Sequence, residues 1–177
     1  MLQFAHLLKR LVIYPPVTRN LNIYKAAVIG CSRMGGFIDH ESVHRSDSMR
    51  IPPRSHGAGY YACDRIELVG CSDTREDVME QFGLLYDVPK PRQYTNYKEL
   101  IDREKPDVVS VATQPEQRAE IVRYIVENGV RAVYAEKAMS ASLQEAKDMV
   151  HVVESNGAIL NLGTNRRWHR GYAAMKT

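Results

Sequence analysis

From residue 24 onward, short apolar runs alternate with longer stretches whose hydrophobic positions recur every three or four residues. The runs are KAAVIG (25–30), IELVGCS (66–72), DVVSVAT (107–113), RAVYAE (131–136) and AILNLG (158–163). Each is apolar almost continuously, not at alternate positions, which predicts strands covered by helices on both faces and hence a parallel sheet. Between them, REDVMEQFG (75–83), NYKELIDR (96–103), PEQRAEIVRYIVENG (115–129) and SLQEAKDMVHVVESNG (142–157) carry the helical period. The last two close on Asn-Gly, a pair suited to a helix C-terminus. Pro115 suits a first turn, with Thr113 or Gln114 leading in. Within 142–157, Leu143, Ala146, Met149, Val150 and Val153 predict one stripe facing the core. The βαβα order predicts an α/β fold built on a doubly wound parallel sheet with right-handed crossovers.

One stretch breaks the rhythm. HESVHRSDSMRIPPRSHG (40–57) is polar and carries Pro52-Pro53, so 40–54 is expected to be a surface insertion, with SHGAGYYAC (55–63) resuming the helix it interrupts. The first 38 residues hold no Asp or Glu. Residues 1–23 could form a short basic amphipathic helix ending before Pro15-Pro16, as in a mitochondrial presequence. The alternatives are a disordered leader or residues added by an upstream start codon, and the near absence of Ser favours these.

Composition narrows the class. A chain of 177 residues, 44% hydrophobic and 25% charged, has the length for one well-buried domain. The net charge of +3 comes without a Lys/Arg cluster, which argues against a nucleic-acid face. No apolar run approaches the roughly 20 residues that span a bilayer. Cys31, Cys63 and Cys71 form no CxxC pair; three free, buried thiols in a reducing, cytoplasmic setting are expected.

The candidate chemistry starts where the first strand ends. Gly30, Ser32 and Gly35 fall on the three glycine positions of G-x-G-x-x-G, flanked by Arg33 and Met34. In that fingerprint the first glycine makes the tight turn, the second admits the pyrophosphate and the third lets helix and strand pack closely. Ser32 replaces the second, keeping a hydroxyl that can donate to phosphate, while Gly36 is expected to add slack. The helix start would supply N–H groups to the anion. The partner acid is Asp73, at the end of the second strand, placed to accept from the adenosine ribose hydroxyls. It comes 43 residues after Gly30 rather than the usual 20 or so, an excess the 40–54 insertion accounts for. Asp73 could equally cap the helix that follows. Its charge disfavours a 2′-phosphate, so NAD is expected over NADP, although Arg75 could accommodate that phosphate.

Taken together, AVIGCSRMG, ELVGCSD, VVSVATQPEQRAEIV, VYAEKAMSASLQEAKDMV and LNLGTNRRWHRGY resemble successive blocks of the Gfo/Idh/MocA oxidoreductases, the glucose–fructose oxidoreductase and inositol dehydrogenase family. The blocks run in family order from about residue 25 to the end. The resemblance implies an NAD(P)-binding Rossmann domain over 24–165, with 166–177 starting a connection onward. It also implies oxidation or reduction of CH–OH groups on sugars or polyols. Glu136-Lys137 matches the family's Glu-Lys-Pro, with Ala138 in place of the proline. The lysine is thereby implied as the catalytic group, hydrogen-bonding the reacting oxygen from the carboxyl edge of the sheet, where burial would help it exchange a proton. Its alternative is a surface lysine paired with Glu136. Thr113, Gln114 and Pro115 match the loop lining the cofactor groove. Asn165, Arg166 and Arg167 match the NRRWHRGY block near the nicotinamide, or else begin a basic surface helix. His56 matches a histidine of the first family helix, for which packing or capping is expected.

In the family a second α/β domain follows, supplying the substrate wall and an Asp-x-x-x-His acid/base pair. It is absent from these 177 residues, so the resemblance implies a fragment, inactive alone. A sugar or polyol substrate, and any homo-oligomer, would then require that domain. The alternatives are a non-catalytic NAD-binding module and a Rossmann-like domain that has lost its cofactor.

Overall fold

The computed structural model describes residues 22–42, 53–164 and 174–175. Six strands form one sheet: β1 (Tyr24–Ile29), β2 (Ile66–Ser72), β3 (Gln93–Tyr94), β4 (Val108–Val111), β5 (Ala132–Glu136) and β6 (Ile159–Gly163). Their order is β3-β2-β1-β4-β5-β6 and every pairing is parallel. Chain order reverses across β1 and β4, so the crevice at their carboxyl ends is the topological switch point where doubly wound sheets bind ligands.

Helices fill the crossovers. A π-helical turn (Arg33–Phe37) runs into α1 (Ile38–Ser42), followed by α2 (His56–Tyr61), α3 (Glu76–Tyr86), α4 (Tyr97–Glu104), α5 (Pro115–Glu127) and α6 (Leu143–Ser155). A 3-10 turn (Lys90–Arg92) leads into β3. The two Asn-Gly endings behave as expected: Gly129 and Gly157 have φ of 93° and 63°. At each, the glycine N–H and the one after it bond back to carbonyls of the last turn, closing a Schellman motif. Ser142 and Glu145 form a capping box at the start of α6.

Alternation along the strands sorts the core into two faces. Ala27, Ile29, Val109, Val111 and Val133 pack under α4, α5 and α6. Val28 and Cys71 face the other way, against Ala58 of α2 and Met79 and Phe82 of α3. Fully burying a side chain such as Phe82 contributes roughly 1.5–3 kcal/mol, so each face is a substantial source of stability.

Several expectations need correcting. β3 did not show in the hydrophobic pattern, because a two-residue strand is too short to have a period. The strand expected at 107–113 is confined to Val108–Val111. The α6 stripe is narrower than predicted: Met149 and Val153 are buried, but Leu143 is 72% and Val150 40% exposed. The leader through residue 21 lies outside the described residues, as do 43–52 within the proposed insertion. The base of that excursion is described. The Asp39 carboxylate accepts from the Arg54 N–H at 2.9 Å and the Ser55 N–H at 2.8 Å, drawing its two ends together.

Candidate cofactor groove

The glycine turn closes on neighbouring backbone. Gly30 has φ of 89°, and a Cβ there would come within 2.8 Å of the Ala112 carbonyl carbon. A Cβ on Gly35 would lie 1.9 Å from the Gly30 oxygen, so the helix start sits directly on the turn. Gly36 is not slack: its Cβ would meet the Phe82 ring at 2.7 Å and the Cys31 oxygen at 3.0 Å. Ser32 has φ of −68°, a conformation open to any L-residue, which explains why a serine is tolerated there. Its hydroxyl accepts from Arg75 Nη2 at 2.7 Å. Arg33 is exposed and paired with Glu41 at 2.6 Å, while Met34 is half-buried. Helix geometry leaves the first N–H groups of the helical run from Arg33 without intrahelical acceptors, so they can face an anion.

Asp73 reaches this turn across 42 residues of sequence. Its Oδ2 accepts from the Cys31 N–H at 2.8 Å and its Oδ1 from the Arg75 N–H at 3.0 Å. Its own N–H bonds to Tyr94 in β3 at 3.3 Å, so the unpredicted strand helps to aim it. Asp73 is not the helix cap; α3 starts after Arg75, which makes no side-chain cap. Each carboxylate oxygen has two acceptor directions, so ribose hydroxyls can still be bound. Arg75 stays exposed beside it, with Nε 4.0 Å from Oδ1.

The ends of β4 and β5 are held differently. Glu136 is 8% exposed, and His56, 7% exposed, brings Nε2 to 3.3 Å from its Oε1. His56 Nδ1 lies 2.8 Å from Ser110 Oγ, which in turn lies 2.8 Å from the Tyr60 hydroxyl. His56 is therefore neither mere packing nor the cap; Ser55 caps α2, accepting from the Ala58 N–H. Burial alone would raise the Glu136 carboxyl, but the His56 hydrogen bond and charge outweigh it, aided by Lys137, and hold it below the usual carboxylate range. Glu136 is thus buried against His56, not paired at the surface with Lys137 as the alternative reading had it, and Lys137 is exposed instead of buried. On the other loop Thr113 and Pro115 are half-buried and Gln114 exposed.

Arg118 joins the two loops. It is 1% exposed, donating from Nη2 to the Thr113 carbonyl and from Nη1 to that of Ala138. Sequence reasoning missed it, yet there was a signal. Ile121, Val122 and Ile125, at helical spacing after it, are buried, so an arginine occupies a position of the core stripe.

Asn165, Arg166 and Arg167 lie outside the described residues. Cys31 and Cys71 are buried as expected, but Cys63 is exposed. Among the described residues no cluster could hold a metal, and no helix is long and apolar enough to cross a membrane. A hollow of about 400 Å³ beside Lys105, Asp107 and Val130 lies at the amino ends of β4 and β5, opposite the groove.

A switch-point crevice bounded by a glycine turn and an acid at the end of β2 defines a dinucleotide-binding domain of the Rossmann class. Comparison with known proteins fixes the family: residues 24–164 match the Gfo/Idh/MocA oxidoreductases, described as an oxidoreductase family with an NAD-binding Rossmann fold. The chain belongs to that family. Among curated relatives, an uncharacterised oxidoreductase of Schizosaccharomyces pombe is 29% identical over 112 residues, 63% of this chain and 30% of its own length. A glycosyl hydrolase family 109 protein of Shewanella pealeana is 26% identical over 148 residues, 78% of this chain and 32% of its own. The myo-inositol 2-dehydrogenase of Lactobacillus plantarum superposes with a TM-score of 0.67 at 22% identity, over 88% of this chain and 40% of that one. The WlbA dehydrogenase of Bordetella pertussis, solved with NADH and UDP-GlcNAcA, gives 0.64 at 20% identity, over 82% and 38%. The chain therefore spans about a third of the curated relatives it matches.

Proposed function

We propose that this chain binds NAD(H) across the switch point, as the cofactor-binding part of an oxidoreductase acting on CH–OH groups of sugars or polyols. The observation that supports the proposal is the 2.8 Å bond from the Cys31 N–H to Asp73 Oδ2, which brings the carboxylate at the end of β2 onto the glycine turn. Ser32, Arg33 and Met34 would face the pyrophosphate, with Gly30 keeping the turn tight and Gly35 letting the helix start close on it. Thr113, Gln114, Pro115, Glu136, Asn165 and Arg166 would line the nicotinamide half. The dinucleotide, when bound, supplies the hydride acceptor or donor. Lys137 would hydrogen-bond the substrate oxygen and offset the negative charge that develops there. The substrate wall and the proton relay would come from outside these 177 residues, so catalysis by this chain alone is not expected.

Asp73 favours NADH over NADPH by repelling a 2′-phosphate, and Arg75 moderates that preference. Titration of the chain with NADH, followed by nicotinamide fluorescence, is expected to saturate, with NADPH binding more weakly. Equal affinities would remove the discriminating role of Asp73. No binding at millimolar cofactor would leave a Rossmann domain without its ligand. A second reading, in which the bound nicotinamide serves glycoside cleavage, is favoured by the name of the Shewanella relative. Release of a sugar with no net change in NADH, by the chain joined to a substrate domain, would select it.

A further inference from the structure

The His56, Arg118 and Glu136 side chains are buried at one place, the carboxyl ends of β4 and β5. Removing an arginine from water costs several kcal/mol unless its donors are matched. Arg118 is only partly matched. Nη1 and Nη2 reach carbonyls and Glu136 attracts it, but Nε has no partner among the described residues. An apolar residue would suit the core stripe of α5 better for stability alone. What the guanidinium adds is a link between two loops that no sheet hydrogen bond joins. Thr113 follows β4, and Ala138 follows β5 and stands directly after Lys137. Ala138 also lacks the ring with which a proline would fix the backbone there.

We propose that Arg118 is a positioning residue for the nicotinamide half of the groove, its planar fork fixing the 113–115 loop against the 137–138 loop. This rests on the proposed NAD(H) site. Arg118 touches no cofactor itself; it sets the spacing of the groups that would. Its loss should spare the adenosine end, where the contacts of Asp73 with Cys31 and of Gly35 with Gly30 are made without it.

The test compares NADH with ADP-ribose, which lacks nicotinamide, on the full chain by calorimetry and nicotinamide fluorescence. Wild type is expected to bind NADH about tenfold more tightly than ADP-ribose, a difference of about 1.4 kcal/mol. Arg118→Met should keep ADP-ribose affinity, lower NADH affinity to the same level and abolish the gain in nicotinamide emission. Arg118→Lys, whose single ammonium cannot reproduce the fork, should recover part of the difference. A preference for NADH that survives in Arg118→Met would overturn the proposal. So would an equal loss of both ligands, failure of both variants to fold, or a wild type that prefers neither ligand while binding both. A wild type that binds neither ligand sinks the NAD(H) site itself, which is a separate failure.

Discussion

At the carboxyl ends of β1 and β2 backbone is held by backbone and one carboxylate; at the ends of β4 and β5 it is held by buried side chains. Gly30 presses on Ala112, Gly35 sits on Gly30, and Asp73 ties the second strand to the turn. Across the groove, His56, Ser110, Tyr60 and Glu136 form a chain of polar contacts, and Arg118 spans two loops. The first arrangement permits no extra atom. The second can lose a group and stay folded, at the cost of an unmatched polar neighbour or a loosened loop. Tolerance of substitution should therefore differ between the two ends.

The sharpest test of that contrast is Gly35→Ala. Its methyl group would need space the Gly30 oxygen occupies, so a loss of about 3 kcal/mol and a melting midpoint lower by about 10 °C are expected. A near-normal thermal melt would show that the turn yields, and the contrast would fail. Next in size, Asp73→Ala should weaken NADH binding by roughly 10- to 100-fold, the worth of a charge-assisted hydrogen bond, and NADPH binding by less. Lys137→Ala should leave NADH affinity unchanged. Parallel losses for both cofactors would reduce Asp73 to a brace for the turn.

A smaller effect is expected at the second end. The folded state holds the Glu136 carboxyl below its usual range, so its stabilisation is present above the ordinary carboxylate value and is lost as the pH falls through the lowered one. Between about pH 5 and about pH 3, wild type should lose more melting temperature than Glu136→Gln. Superimposable acid limbs would mean that His56 and Glu136 are not coupled. The smallest effect is alkaline. Burial, moderated by the Ser110 hydrogen bond, pushes Tyr60 up from 10.0 to about 12. The neutral hydroxyl is thus favoured by folding, and its contribution fades as the pH rises through that upper value. Tyr60→Phe should flatten the alkaline limb slightly, since Tyr86, also raised to about 12, still contributes.

The same contrast explains what could be read from the sequence. Five of the six strands announced themselves as apolar runs, because burial on both faces leaves a continuous signal. Gln93–Tyr94 could not, although it aims Asp73. Gly30 and Gly35 were legible because backbone crowding restricts the residue type, and Asp73 because the fingerprint sets an acid at the end of the second strand. The role of Gly36 was misread because what crowds it, the Phe82 ring, is distant in sequence. Glu136 and Lys137 stood out only through likeness to a family. Nothing local says that a glutamate ending one strand will meet a histidine 80 residues earlier. Arg118 left a local trace, a charge within an apolar stripe, which is worth heeding wherever it interrupts a helix.

The Asp39 carboxylate, gripping the amides of Arg54 and Ser55, works as a drawstring at the neck of the intervening stretch. The two bonds hold residues 54 and 55 beside residue 39, so the crossover leaves and re-enters the described fold at one point.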